Sequence, residues 1–173
     1  MNLSWNSARV VLVCLLLTLA ASSQATAATA QTTFLVTASV TANCSITATG
    51  INFTYDPLGL NATTPATATG SVTITCTKGA GPSIGLNAGT NAGKVAGVSR
   101  AMANGATNFL GYELNQPGTG GPVWTDIGGA GAFNPGASPS KAARTFQVNA
   151  TIPAGQDVAV GSYSDSVTAT VNF

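Results

Sequence analysis

Apolar and polar positions alternate with a period of two through most of this chain. Phe34, Val36, Ala38 and Val40 alternate with Leu35, Thr37, Ser39 and Thr41, and Cys44, Ile46 and Ala48 continue in phase. Val72, Ile74 and Cys76 repeat the pattern against Ser71, Thr73, Thr75 and Thr77. Further sets are Ile84, Leu86 and Ala88, then Leu110, Tyr112 and Leu114, then Phe146, Val148, Ala150 and Ile152. The last is Val167, Ala169, Val171 and Phe173. Successive side chains of a strand point to opposite faces, so each set predicts a strand with one face in a core. Threonine on the other face suits a pleated surface, because its β-branch packs well there.

Strong breakers separate these runs: Asp56-Pro57-Leu58-Gly59, Gly79-Ala80-Gly81-Pro82, Asn104-Gly105 and Pro153-Ala154-Gly155. Residues 115–141 are rich in Gly and Pro and read as long loops around one short strand at Val123 and Trp124. About seven short strands sharing one inward face predict an all-β, immunoglobulin-like β-sandwich. Neither an internal repeat nor a second domain is evident.

The first thirty residues follow a different rule. Arg9 closes a short polar start, residues 10–21 are an apolar run, and a small-residue stretch with A-x-A sites follows. That order is the signal-peptide pattern, and the run is shorter than the about 20 residues a spanning helix needs. Residues 1–30 are therefore predicted to be a signal peptide cleaved after Ala27 or Ala30. Val13, ahead of Cys14, is not the small residue that a lipoprotein signal wants. Cleavage leaves Cys44 and Cys76, both on apolar phases, in a chain bound for an oxidising compartment. A Cys44–Cys76 disulfide inside the sandwich follows, joining the first strand to the second or third. A loop of that size should stabilise the fold by about 3–4 kcal/mol in the chain-entropy model.

Composition narrows the function. Charged residues make up 6% of the chain and hydrophobic ones 45%, so a core is available, and net charge is only +1. Without Arg9, Lys78, Lys94, Arg100, Lys141 and Arg144 balance Asp56, Glu113, Asp126, Asp157 and Asp165. Such a chain lacks the basic patch that nucleic acid or an anionic membrane surface requires. Catalytic chemistry is equally thin. Gly81-Pro82-Ser83-Ile84-Gly85 spells G-x-S-x-G, but it leads into an alternating strand, and a chain without His has no imidazole base. The acidic residues are scattered, and nothing in the pattern pairs them. No metal-ligand spacing, phosphate loop or calcium loop occurs. The expectation is a non-enzyme without cofactor or metal. Asn43, Asn52, Asn61 and Asn149 open N-x-S/T triplets, which an Asn- and Thr-rich chain also produces by chance. Trp124 and Tyr112 suit either a sugar-binding face or packing.

From Thr33 to Phe173 the residues resemble a known family. Its marks are Asn43-Cys44-Ser45, Phe53-Thr54-Tyr55-Asp56-Pro57-Leu58 and residues 70–77 (GSVTITCT), with Arg100-Ala101-Met102, Tyr112-Glu113-Leu114 and Trp124 following. The strongest are Ile152-Pro153-Ala154-Gly155-Gln156 and residues 161–171 (GSYSDSVTATV). This pattern resembles the spore coat protein U domain, the family of archaic chaperone–usher pilus subunits. The resemblance implies a sandwich over residues 43–173 that lacks its final strand. A periplasmic chaperone lends that strand, and in the fibre the N-terminal extension of the next pilin replaces it. Residues 31–42 would then be the donor segment, with Phe34, Val36, Ala38 and Val40 as pocket-filling residues; the rival reading is an ordinary first strand. Val167, Ala169, Val171 and Phe173 would form the edge strand that meets the chaperone, with core packing as the rival role of Phe173.

The function so implied is that of a structural subunit of a surface pilus, serving adhesion and biofilm formation. Its partners would be the chaperone, an outer-membrane usher and neighbouring pilins, on a path through the periplasm to the cell surface. Rival readings are a non-fimbrial secreted coat or matrix protein and a small secreted carbohydrate-binding module.

Overall fold

The computed structural model describes residues 26–173. The apolar run at residues 10–21, and with it most of the expected signal peptide, lies outside the described residues. Residues 26–38 carry no strand and are exposed throughout. Ser39–Phe173 form a compact unit of their own.

Within that unit the strands are β1 (Cys44–Thr49), β2 (Ala66–Cys76), β3 (Ser83–Leu86), β4 (Arg100–Asn104), β5 (Asn108–Asn115), β6 (Arg144–Ile152) and β7 (Ala169–Asn172). A five-stranded antiparallel sheet has the order β1-β2-β6-β5-β4, and β3 pairs with β7 in a two-stranded sheet. The expected all-β sandwich is the observed architecture. Between the sheets lie Val72 and Ile74 of β2, Ile84 and Leu86 of β3, Leu114 of β5 and Val148 and Ile152 of β6, all buried. These are the positions that the alternation assigned to the inside. Their outward neighbours pair in kind: Thr73 and Thr145 Oγ1 hydrogen-bond across β2 and β6 at 2.8 Å.

Cys44 and Cys76 are bridged. They stand directly opposite each other on β1 and β2, so the bridge ties neighbours within one sheet. Trp124 is fully buried, and its indole N–H donates to the Ile84 carbonyl at 2.8 Å. Tyr112 is buried too, so both aromatics proposed for a sugar-binding face are packing residues. Gly81-Pro82-Ser83-Ile84-Gly85 runs into β3. A Cβ on Gly85 would strike the Ile127 backbone nitrogen, so this glycine serves close approach of strand and loop. Asn61 is buried, its Oδ1 accepting the Asp56 N–H and its Nδ2 donating to the Thr64 carbonyl. That triplet is a turn device with no room for a glycan.

Several elements differ from the sequence reading. The alternation at residues 34–40 does not extend β1, which starts at Cys44. β2 begins at Ala66, ahead of the expected Ser71, and Ala88 lies beyond the end of β3. The short strand at Val123 and Trp124 is a single bridge between Val123 and Asn115. β4 was not foreseen, because its inward phase opens with Arg100, a residue that hydrophobic periodicity counts as outward.

Candidate functional site

Residues 51–57 leave β1 with alternate burial: Ile51, Phe53 and Tyr55 are half-buried while Asn52, Thr54 and Asp56 are exposed. That is the side-chain period of a strand, yet no strand pairs with the segment among the described residues. Residues 163–171 show the same rhythm, with Tyr163, Asp165, Val167, Ala169 and Val171 half-buried. This second segment is held along one edge. Ser164 and Ala103 exchange both backbone hydrogen bonds, the Asn87 N–H donates to the Thr168 carbonyl, and β7 pairs with β3. Along the other edge of β7 no strand is paired among the described residues.

Between these two segments runs an open groove. One part, of about 490 Å³, is walled by Ile51 and Phe53 on one side and Val167 and Ala169 on the other. Its floor includes Val72, Leu86, Met102, Leu114 and Val148. The second part, of about 940 Å³, shares Ile51, Phe53, Met102 and Tyr163 with the first and continues past Leu110 and Val158. A trough with apolar floor residues beside an unpaired strand edge has the geometry that strand addition needs: free main-chain groups along the edge and room for alternate side chains below it.

The walls are fastened by polar groups. The Tyr55 hydroxyl accepts the Gln156 N–H at 2.9 Å and donates to the Pro153 carbonyl at 3.2 Å, tying the first segment to the turn after β6. On the other wall the Tyr112 hydroxyl donates to Asp165 Oδ2 at 2.8 Å. Thr90 donates to Asp165 Oδ1 through its N–H at 2.9 Å and its hydroxyl at 2.6 Å. Burial opposes ionisation of Asp165, but the hydrogen bonds from Thr90 and Tyr112 outweigh it, and its carboxyl titrates below the ordinary range. Burial, then the bond to Asp165, pushes the Tyr112 phenol up.

Arg100 on β4 is buried behind this wall. Its Nε donates to the Asn87 carbonyl, and its Nη2 to the carbonyls of Leu86 and Trp124. Its Nη1 lies 3.9 Å from Glu113 Oε2. Burial lowers the guanidinium from its usual value, while Tyr112, Glu113 and Asp165 draw it back up. Sequence reading missed this residue as a structural centre; its only signal was its place in the motif Arg100-Ala101-Met102.

The residues singled out from sequence fall into two places. Val167, Ala169 and Val171 lie on the groove wall or in β7, half-buried, and Phe173 is 50% exposed just after β7. Phe34, Val36 and Val40 are 84%, 79% and 85% exposed, and Ala38 is exposed as well.

A family model described as Spore Coat Protein U domain matches residues 30–170. No curated protein matches the chain. Among solved structures the chain is similar to the crystal structure of the CsuC-CsuE chaperone–tip adhesion subunit pre-assembly complex from the archaic chaperone-usher Csu pili of Acinetobacter baumannii. The identity is 20% and the TM-score 0.55, over 78% of this chain and 40% of that one. The chain thus spans less than half of the chain it matches there, and the likeness is one of fold. It is also similar to HdaB, the minor tip subunit of the E. coli Hda pilus, with 22% identity and a TM-score of 0.40 over 73% of this chain and 79% of that one.

Proposed function

The chain belongs to the Spore Coat Protein U domain family, and from that premise we propose that it is a structural subunit of a chaperone–usher surface pilus, assembled by donor-strand complementation. The observation that carries this reading is the open groove between residues 51–57 and 163–171, in a chain whose residues 31–42 are exposed and carry the alternating set Phe34, Val36, Ala38 and Val40. An exposed groove beside an unpaired edge is a template for pairing with other chains. A periplasmic chaperone would shield it during export, and an outer-membrane usher would exchange the chaperone for the donor segment of a neighbouring pilin. Burying Phe34, Val36 and Val40 in a neighbour's groove offers about 1.5–3 kcal/mol for each side chain. The resulting fibre would stand on the cell surface and serve adhesion and biofilm formation, after removal of residues 1–30 as a signal peptide.

The test is deletion of residues 31–40 from the exported chain, expressed with its chaperone. A folded, chaperone-bound subunit that forms no polymer is expected. An unfolded product would mean that these residues are an ordinary first strand, and polymer formation would mean that another segment is the donor. Electron microscopy of the producing cells should show fibres that disappear with the gene.

A further inference from the structure

At residues 165–167 the C-terminal segment has left β4 and not yet joined β3. Ser164 is bridged to Ala103 of β4, and the next backbone hydrogen bond is at Thr168, whose carbonyl accepts the Asn87 N–H. Between these points, among the described residues, no backbone group of Asp165, Ser166 or Val167 pairs with another backbone group. Those same residues line the groove. What fastens the wall at this crossing is the Asp165 side chain, which takes hydrogen bonds from Tyr112 of β5 and from Thr90 in the loop after β3. Gly89 provides the niche. Its φ is +75°, and a Cβ there would collide with the Asp165 carboxylate. A side chain at position 89 is thus excluded both by backbone conformation and by the carboxylate.

We infer that Asp165 is the positioning residue of the groove: its carboxylate, seated against Gly89 and held by Thr90 and Tyr112, pins the C-terminal segment where it changes sheet and keeps its free edge in place for an added strand. The inference rests on the strand-addition reading for its consequence and on the hydrogen bonds alone for its structural part. Asp165 and Val167 face the free edge, and Ser166, which faces the paired one, makes no ladder bond, so the wall between Ser164 and Thr168 would otherwise be free to move into the groove or away from it. An added strand would then have to order the wall before pairing with it, and that ordering lowers affinity.

The experiment compares the purified chain with its Asp165→Ala, Asp165→Asn and Gly89→Ala variants in two measurements. The first is amide hydrogen exchange, resolved by segment. The second is binding of a synthetic peptide of residues 31–42. In Asp165→Ala, exchange within residues 163–168, read at the bonded amides of Ser164 and Thr168, should rise about tenfold or more while β2 and β6 keep their protection, because hydrogen bonds to a charged group are lost at one place. Peptide affinity should fall about tenfold in the same variant. Asp165→Asn, which still accepts from Thr90, should lie between Ala and the parent, and Gly89→Ala should follow Asp165→Ala. Unchanged exchange at residues 163–168 would overturn the inference, as would an equal rise in β2 and β6, which would make Asp165 a general stability residue. Local exchange that rises with unchanged peptide affinity would overturn its role in strand addition. A parent chain that takes up no peptide would count against the proposed function, while the exchange pattern would still decide whether Asp165 pins the wall.

Discussion

The side-chain amide of Gln156 pairs with both backbone groups of Gly111. Its Oε1 accepts the Gly111 N–H at 2.7 Å, and its Nε2 donates to the Gly111 carbonyl at 2.9 Å. β6 ends at Ile152 and reaches β5 only at Glu113, Leu114 and Asn115, so this glutamine continues the ladder where the strand has stopped. Gln156→Ala should therefore cost about 1–3 kcal/mol, since Gly111 is buried and both its groups lose a partner. Gln156→Glu keeps the acceptor, loses the donor and should recover only part of that. Urea unfolding of the two variants is the check, and an unchanged midpoint in Gln156→Ala would refute the role.

Arg100 offers a sharper loss. Replacing it with Met leaves the carbonyls of Leu86, Asn87 and Trp124 without their donor and Glu113 without its nearby cation. Breaking a buried charge pair in this way costs about 3–5 kcal/mol. Arg100→Lys should rescue little, because an ammonium cannot reproduce a planar fork that reaches three carbonyls. Thermal unfolding of both variants measures this, and a lysine variant as stable as the parent would sink the argument.

Reduction of the Cys44–Cys76 bridge should lower stability by about 2–5 kcal/mol. The bridge spans a sequence separation of 32 residues and joins β1 to β2 at the first register pair. Its loss frees the N-terminal end of β1, the strand from which residues 51–57 continue into the groove wall. Unfolding with and without reductant is the comparison. A double Cys44→Ala, Cys76→Ala variant should match the reduced protein.

The Tyr112–Asp165 pair sets a pH dependence with opposite signs at its two ends. Asp165 titrates lower in the folded chain than in the unfolded one, so its contribution is present above the unfolded value of about 3.9 and is lost as pH falls through the folded one. Tyr112 titrates higher when folded, so its contribution is present below the unfolded value of about 10 and is lost as pH rises beyond it. Other charged groups near the pair are Arg100 and Glu113, on β4 and β5. Unfolding midpoints measured from about pH 2 to pH 11 should show both limbs in the parent. The acid limb should shrink in Asp165→Asn and the alkaline limb in Tyr112→Phe.

Much of the fold was written locally. A period of two at residues 72–76, 84–86, 110–114 and 146–152 named the buried faces of β2, β3, β5 and β6, because a pleated chain has one way to bury alternate side chains. Cys44 and Cys76 were readable as a pair from their phase and from the signal pattern, whose cleavage removes Cys14 and directs the chain to an oxidising compartment. The turn residues Asp56-Pro57 and Pro153-Ala154-Gly155 marked breaks in the right places, but their joining through Tyr55 and Gln156 was not visible, since it links positions 101 residues apart.

What the tertiary structure decided is which alternating faces find a partner within the unit. Residues 34–40 and residues 72–76 carry the same kind of pattern, yet Val72 is 1% exposed and Val36 79%. Periodicity records that a face suits burial and is silent on what covers it. β4 hid for the converse reason: Arg100 occupies an inward position that is tolerable only because three distant carbonyls converge on its guanidinium. The groove itself belongs to no segment of sequence. It exists because residues 51–57 and 163–171 each keep a strand's rhythm while no strand among the described residues lies between them.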